Sequence, residues 1–157
     1  MAPSESTSSD IFLPDVTVAT VVVSDGRMLL VEERVRGALV LNQPAGHLEP
    51  AESLHAAALR ETLEETAWEV SLTHFIGVYQ WTSPEESRQF LRFAFAAVPL
   101  HHHPELTLDD GIERALWLTP PELDAQRARH RSPLVWRAAT DFLAGQRLPL
   151  DSVNWLS

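Results

Sequence analysis

The chain has 157 residues, a formal net charge of −10 and no cysteine. This length predicts one domain with a sizeable core, and 45% hydrophobic with 22% charged residues is typical of a soluble globular protein. The lack of cysteine excludes disulfides, thiolate catalysis and cysteine zinc sites, and the negative charge argues against a nucleic acid polymer as partner. No apolar run reaches membrane-spanning length and no signal-peptide pattern begins the chain. We therefore expect a cytoplasmic protein with no membrane partner.

The N-terminal part of the chain predicts a lead-in followed by three strands. Residues 1–13 begin with a Ser-, Thr- and Pro-rich stretch and are expected to be flexible, with a single domain over residues 14–157. A run of β-branched residues predicts a buried strand at residues 16–23. Beyond a turn, the second arm of a hairpin is expected at residues 28–32, and a third strand at residues 38–42.

A helix is predicted over residues 53–66, after a stretch in which Gly46 and two prolines are expected to break regular structure. Glu52 or Ser53 can cap its start. One face is apolar, and we expect it to pack on the core; it carries Ala56, Leu59 and Leu63. The opposite, acidic face continues into further apolar residues, Leu54, Ala57 and Ala58. A helix apolar on both sides is expected to lie between layers, with its carboxylates lining a cleft.

The C-terminal half alternates strands and helices. Strands are predicted at residues 69–81, 89–98 and 112–118, and residues 101–111, which include three consecutive histidines, as a polar loop. Thr119 and Glu122 have capping-box spacing at the start of a short helix, and a further helix is expected from residue 132 to a stop at Gly145. This alternation predicts an α/β sandwich with a mixed sheet.

Three glutamates carry the clearest chemical signal. Glu61, Glu64 and Glu65 stand at relative positions 0, 3 and 4, which on a helix places their carboxylates on one face within a turn. Such like charges are stabilised by a hard divalent cation, and Mg²⁺ or Mn²⁺ bound this way commonly bridges substrate phosphates. A glutamate not engaged by metal could act as a general base towards water. Glutamates at this spacing are also common on solvated faces, so spacing alone leaves both interpretations open.

The whole stretch resembles the Nudix box of the Nudix hydrolases. Six residues stand at the separations of that signature: Gly46, Glu52, Arg60, Glu61, Glu64 and Glu65. Such a match over twenty-odd residues is highly specific. Two positions depart from the pattern, since Thr62 replaces an apolar residue and Ala67 replaces a glycine. If position 67 needs a left-handed backbone, alanine costs about 1 kcal/mol there; alternatively, the helix continues further.

The resemblance implies an α/β/α sandwich and Mg²⁺- or Mn²⁺-dependent cleavage of a nucleoside diphosphate linked to another group. It implies that Glu61, Glu64 and Glu65 are the catalytic metal ligands. The Gly46 carbonyl would be a further ligand, Arg60 would orient a glutamate in the catalytic set, and Glu52 would fix the loop of the box by hydrogen bonds.

Shorter segments, at residues 42–49, 80–81, 90–93, 131–135 and 145–147, are similar to the NudJ-type phosphatase subgroup. This implies hydrolysis of nucleoside tri- and diphosphates and thiamine-pathway diphosphates, with release of inorganic phosphate, and we expect a monomer. One alternative is a Nudix hydrolase selective for an oxidised nucleotide or a sugar nucleotide. Another is a non-catalytic nucleotide sensor, but such domains usually lack the box carboxylates that this chain keeps.

Outside the box, four residues are candidate substrate contacts: Gln43, Gln80, Trp81 and Arg92. Arg92 could bind a terminal phosphate if it points into the cleft, or be a solvated residue if it points outward. Trp81 could stack on a base, although strand aromatics are more often core. An additional acid often serves this family as base or ligand, and the positions considered are Asp109, Asp110 and Glu113.

Overall fold

A computed structural model describes residues 10–157, so most of the predicted lead-in, residues 1–9, lies outside the described residues. Strands and helices are numbered in chain order. The strands are β1 Asp15–Ser24, β2 Arg27–Val35, β3 Ala38–Asn42, β4 Ala45–His47, β5 Trp68–Ser83, β6 Arg88–His102 and β7 Ile112–Leu118. The helices are α1 Leu54–Thr66, α2 Pro120–Ala125 and α3 Pro133–Leu143, with short 3₁₀ turns at Arg127–Arg129 and Leu150–Ser152. None of the helices in this range has the length and apolar character needed to cross a bilayer.

The strands form one mixed sheet in the order β3-β2-β1-β6-β5, with β4 paired to β1 and β7 paired to β2. The pair β1–β6 is parallel, whereas β1–β2, β2–β3 and β5–β6 are antiparallel. The mixed sheet predicted from the sequence is therefore confirmed. Strand β1 is central, because β2, β4 and β6 all pair with it.

Helices cover both faces of this sheet. Successive side chains of a strand point to opposite faces, and on β1 Val18 joins the cluster beneath α1, whereas Val21 joins the cluster beneath α3. The α1 side is filled by aromatic and alanine side chains, and the α3 side by aliphatic residues. The α/β/α arrangement follows directly from this alternation.

Helix α1 packs on the sheet through a different face from the one predicted. Ala56 and Leu59 are exposed, whereas Ala57 and Ala58 are buried against the sheet. Small side chains let the helix approach the strands closely, which leucine would prevent. Thr62 lies on this buried face and its hydroxyl donates to the Ala58 carbonyl (2.7 Å), so a polar residue is accommodated at a normally apolar position. Its oxygen also lies 2.7 Å from a threonine hydroxyl of β1.

The two ends of α1 are fixed by different devices. Ser53 caps the start, and its hydroxyl accepts the Ala56 N–H at 3.0 Å. At the other end Ala67 has φ 60° and ψ 17°, the left-handed conformation, and its N–H donates to the Leu63 carbonyl. The helix therefore stops where a glycine is usual, and the alternative of a longer helix is wrong. Alanine adopts this conformation at an energetic cost.

Two segments predicted to be irregular are strands. Gly46 lies in β4, because the β1 edge offers pairing partners to this segment, with Gly46 opposite Val18. His101 and His102 extend β6 by pairing with the start of β5, where Glu69 and Trp68 lie opposite them. The polar loop consequently begins later than predicted. Periodicity alone could not reveal either extension, because both depend on a neighbouring strand.

A buried carboxylate, Glu32, lies on β2 with 3% of its surface exposed. Burial would raise the pKa of Glu32, but hydrogen bonds from Arg114 (2.5 Å) and Arg129 (3.2 Å) outweigh it, and the pKa is lowered. The ion pairs link β2 to β7 and to the 3₁₀ turn before α3. Glu32 is therefore a structural charge and lies outside the groups described next.

Candidate active site

Three carboxylates converge where α1 meets the loop before β7. Ligand oxygens of Glu61, Glu64 and Asp109 all lie within 4.8 Å of one another. The Asp109 N–H donates to the Glu64 carbonyl (3.1 Å), which ties that loop to the helix. Of the three additional acids considered, Asp109 is thus the one near the helix, whereas Glu113 pairs with Arg34 on the surface (2.9 Å). Asp110 is exposed and is not part of the group of three.

Glu65 lies deeper than the other box glutamates. It is buried, with 7% of its surface exposed, and accepts the Ala45 N–H at 2.7 Å. Burial, reinforced by repulsion from neighbouring carboxylates such as Glu61 and Asp109, raises the pKa of Glu65 to about 8. Burial also raises the pKa of Glu61, against the effect of its hydrogen bond from an arginine. Such groups gain most from a nearby positive charge.

Arg60 connects the carboxylates of the box. Its guanidinium donates to Glu52 (2.6 and 2.9 Å), Glu61 (2.8 Å) and Glu64 (3.1 Å). Its hydrogen bonds, those to Glu52 first, raise the pKa of Arg60, and Arg60 in turn lowers the pKa of Glu52. Glu52 also accepts the Glu49 N–H at 3.1 Å. The planar fork of arginine suits this bridging of loop and helix.

Gly46 makes room for the Glu61 carboxylate. A Cβ at this position would lie 2.1 Å from Glu61 Cδ and 2.3 Å from each of its oxygens. No side chain fits there without displacing the carboxylate. The β4 backbone therefore lies directly against the acidic group.

The donor set suits a hard divalent cation. Glu61, Glu64 and Asp109 offer only carboxylate oxygens, which are the ligands that Mg²⁺ and Mn²⁺ prefer. The absence of a Cβ at Gly46 lets the β4 backbone lie directly against the Glu61 carboxylate. The residues present therefore fit the divalent ion that their pattern predicts.

A cavity of about 180 Å³ adjoins this group across β4, and Gly46 belongs to its wall. Arg92 lines the cavity and only 7% of its surface is exposed, so the inward orientation considered for it is correct. Burial lowers the pKa of Arg92 to about 10, against the opposing effect of Glu33 and Glu65. A positively charged cavity thus lies next to a negatively charged cluster.

A family model described as NUDIX domain matches residues 13–137. The chain belongs to the Nudix family. It is 42% identical over 147 residues to phosphatase NudJ of Escherichia coli K12, across 92% of this chain and 95% of that protein. A NUDIX hydrolase from Nitrosomonas europaea has the same fold with a TM-score of 0.90 and 45% identity, covering 92% of this chain and 98% of the other.

A more distant structure shares the fold alone. It is a bifunctional NMN adenylyltransferase/ADP ribose pyrophosphatase from Francisella tularensis complexed with AMP and a manganese ion, with a TM-score of 0.66 and 20% identity. The match covers 87% of this chain and 43% of that protein. Together with the family match, the NudJ relationship makes this chain a Nudix hydrolase, and Nudix hydrolases act on small phosphorylated substrates with divalent metals.

The candidate substrate contacts of this Nudix hydrolase separate into two groups. Arg92 and Trp81 line the 180 Å³ cavity, and Trp81 also lines a wider groove of about 600 Å³ beside α3. Gln43 is buried and its amide donates to the Val135 carbonyl (2.7 Å), which links the segment after β3 to α3. Gln80 is exposed on β5, outside the cavity wall. The structure therefore brings Arg92 and Trp81 together and leaves the two glutamines apart from them.

Several residues of the cavity wall were missed by the sequence analysis, among them Thr17, Glu33 and Arg131. Glu33 lies on β2 beyond the predicted strand end, so nothing marked the direction of its side chain. Thr17 had been included in a buried strand. Arg131 stood in a segment similar to the NudJ subgroup, which is the one signal that could have singled it out.

Proposed function

We propose that this Nudix hydrolase uses Mg²⁺, or Mn²⁺, to hydrolyse phosphoanhydride bonds of nucleoside tri- and diphosphates and thiamine-pathway diphosphates, releasing inorganic phosphate. The observation that carries the proposal is the group of Glu61, Glu64 and Asp109 against Gly46, with a cationic cavity beside it. The identity with phosphatase NudJ supports phosphate release. The manganese ion named for the Francisella protein supports the type of metal.

Each residue of the box has a distinct role in this proposal. Glu61 and Glu64, together with Asp109, would hold the cation, and the Gly46 carbonyl would be a further ligand. Glu65 is the fourth carboxylate and serves as ligand or base from its buried position. When bound, the cation polarises the phosphoryl oxygens and offsets the charge that develops on them.

Arg60 and the remaining carboxylates position these groups. Arg60 is a positioning residue, because it fixes Glu61 and Glu64 at hydrogen-bond distance and is itself fixed by Glu52. A water molecule adds to phosphorus and the bridging P–O bond breaks. A carboxylate accepts the proton of the attacking water, and the shortened nucleotide or thiamine compound leaves with inorganic phosphate.

Carboxylate-to-amide substitution tests this assignment. Glu64→Gln keeps the shape of the side chain but removes a charged ligand, and we expect phosphate release from ATP, ADP and thiamine diphosphate to fall by orders of magnitude with an unchanged melting temperature. Glu69→Gln, at an exposed position of β5, is the matched control and keeps the parent rate. Equal rates for Glu64→Gln and the parent would contradict the mechanism.

A substrate panel measured with and without Mg²⁺ tests the substrate range. Broad hydrolysis of nucleotides and thiamine diphosphate, dependent on the metal, is the expected result. Strong preference for one compound, such as an oxidised nucleotide or a sugar nucleotide, would overturn the broad range while leaving the reaction type intact.

A further inference from the structure

The 180 Å³ cavity beside β4 contains two buried donors that have no partner within residues 10–157. These are the Arg92 Nε–H and the Thr17 hydroxyl, on side chains 7% and 5% exposed. The only hydrogen bond of the Arg92 guanidinium within that range is a long one, to the Asn42 side-chain oxygen at 3.4 Å. Guanidinium has five N–H donors, and buried polar groups are normally satisfied. A ligand rich in acceptor oxygens would satisfy them.

The backbone places these two donors side by side. In the parallel ladder between β1 and β6, Thr17 lies directly opposite Arg92. Paired residues of neighbouring strands project from the same face of a sheet. Thr17 is also opposite His47 of β4. His47, Thr17 and Arg92 therefore lie side by side on β4, β1 and β6, and both donors are next to the segment that contains Gly46. The donors are therefore fixed by the sheet and not by mobile loops.

A second cationic side chain, Arg131, also belongs to the wall of this cavity. Arg131 precedes α3, is partly exposed, and contacts Glu33 at 3.7 Å and Glu86 at 3.3 Å. These are weak ion pairs of a partly solvated side chain. These contacts leave guanidinium donors of Arg131 available to an anion in the cavity, whereas Arg92 is fixed by burial.

We propose that Arg92, Thr17 and Arg131 form a receptor for the unesterified phosphate group of the substrate, and for inorganic phosphate after cleavage. A tetrahedral phosphate presents several acceptor oxygens, which match the N–H donors of two guanidinium groups and the O–H donor of a hydroxyl. Gly46 belongs both to this cavity and to the surroundings of Glu61, so a phosphate held here lies beside the carboxylate group. This assignment rests on the proposed function and specifies where the released phosphate binds.

Thr17→Val is the decisive variant, because valine has the shape of threonine without the hydroxyl. The unpartnered hydroxyl contributes nothing to folding, so we expect an equal or higher melting temperature. The KM for ADP and the inhibition constant of inorganic phosphate are both expected to rise about tenfold, the effect of one charge-assisted hydrogen bond. If Thr17 had only a structural role, Thr17→Val would lower the melting temperature and leave the KM and the inhibition constant unchanged.

Thr20→Val is the matched control on the same strand but the other face. The Thr20 hydroxyl pairs with Thr62 at 2.7 Å, so its loss lowers the melting temperature and leaves phosphate inhibition unchanged. Arg92→Lys is a second variant that keeps the charge but loses the fork, and weaker phosphate inhibition is expected from it too.

Two outcomes would separate failure of this inference from failure of the proposed function. If the parent shows Mg²⁺-dependent phosphate release but Thr17→Val and Arg92→Lys keep the parent KM and phosphate inhibition, the receptor is wrong and the function stands. If the parent shows no such release, the function is wrong, and calorimetric titration of the parent and Thr17→Val with inorganic phosphate still tests the receptor. Equal phosphate affinity of the two proteins overturns it.

Discussion

Gly46→Ala is the most direct test of the contact between β4 and the acidic group. The new Cβ would lie 2.1 Å from Glu61 Cδ, and ordinary van der Waals contact begins at 3.4 Å. The carboxylate must therefore move by about 1.3 Å, or the β4 backbone must shift by a similar distance. Glu61 is held by Arg60 at 2.8 Å, so movement also disturbs that hydrogen bond.

A displacement of this size has a large effect on the catalytic rate and a moderate effect on the stability of the fold. Misplacing a catalytic group by about 1 Å costs about 10²-fold in rate, whereas overpacking costs about 1–3 kcal/mol of stability. Gly46 does not have a positive φ, so alanine adds no backbone strain there. We expect turnover to fall about a hundredfold while the protein remains folded.

The assay is Mg²⁺-dependent phosphate release from ADP, measured with thermal unfolding of the same preparations. Gly77→Ala on β5 is the matched control, because the nearest atom to its new Cβ would be Gln146 Nε2 at 3.2 Å, and the next contacts, with Tyr79, are ordinary van der Waals distances of 3.7 and 3.8 Å. That variant should keep the parent turnover. A folded Gly46→Ala protein with parent turnover would refute the reasoning, as would an equal loss in Gly77→Ala.

Two further predictions concern stability. Ala67→Gly removes the strain of an alanine in the left-handed conformation. The gain of about 1–2 kcal/mol exceeds the loss of about 0.8 kcal/mol for one buried methyl group. Chemical denaturation should therefore show a slightly higher free energy of unfolding, and a clear decrease would contradict the strain. Glu32→Gln removes a carboxylate whose folded pKa lies below its ordinary 4.5. The ionised group stabilises the fold above that value and loses its effect as pH falls through the folded pKa. The variant should therefore lose about 1–3 kcal/mol near pH 7 and little in acid, and an equal deficit at both pH values would contradict the ion pairs.

The limits of sequence-based prediction follow from strand direction and pairing. Arg92 sits in an apolar run, and only the pairing of β6 with β1 decides that it points into a cavity with Thr17. Asp109 and Glu113 were equivalent in the sequence, because both are acids near the last strand. The loop conformation then ties Asp109 to α1 and leaves Glu113 on the surface.

The packing face of α1 shows the same limit within a helix. The sequence offered apolar residues on two sides, and the hydrophobic pattern favoured the leucine side. The sheet is instead contacted by Ala57 and Ala58, since small residues allow close approach and Leu59 stays exposed. The distance between helix and sheet determines which face packs, and this distance depends on both elements and not on the helix alone.

The sequence by itself determined the family and the box, because the separations among Gly46, Glu61 and Glu64 are set by local helix geometry and a short preceding segment. It also determined the mixed α/β class through its alternating strands and helices. Only the tertiary structure decided that Asp109 joins the glutamates and that Arg92 faces a cavity. These contacts are between residues that are distant along the chain. They form only when β6 pairs with β1 and the loop before β7 packs on α1.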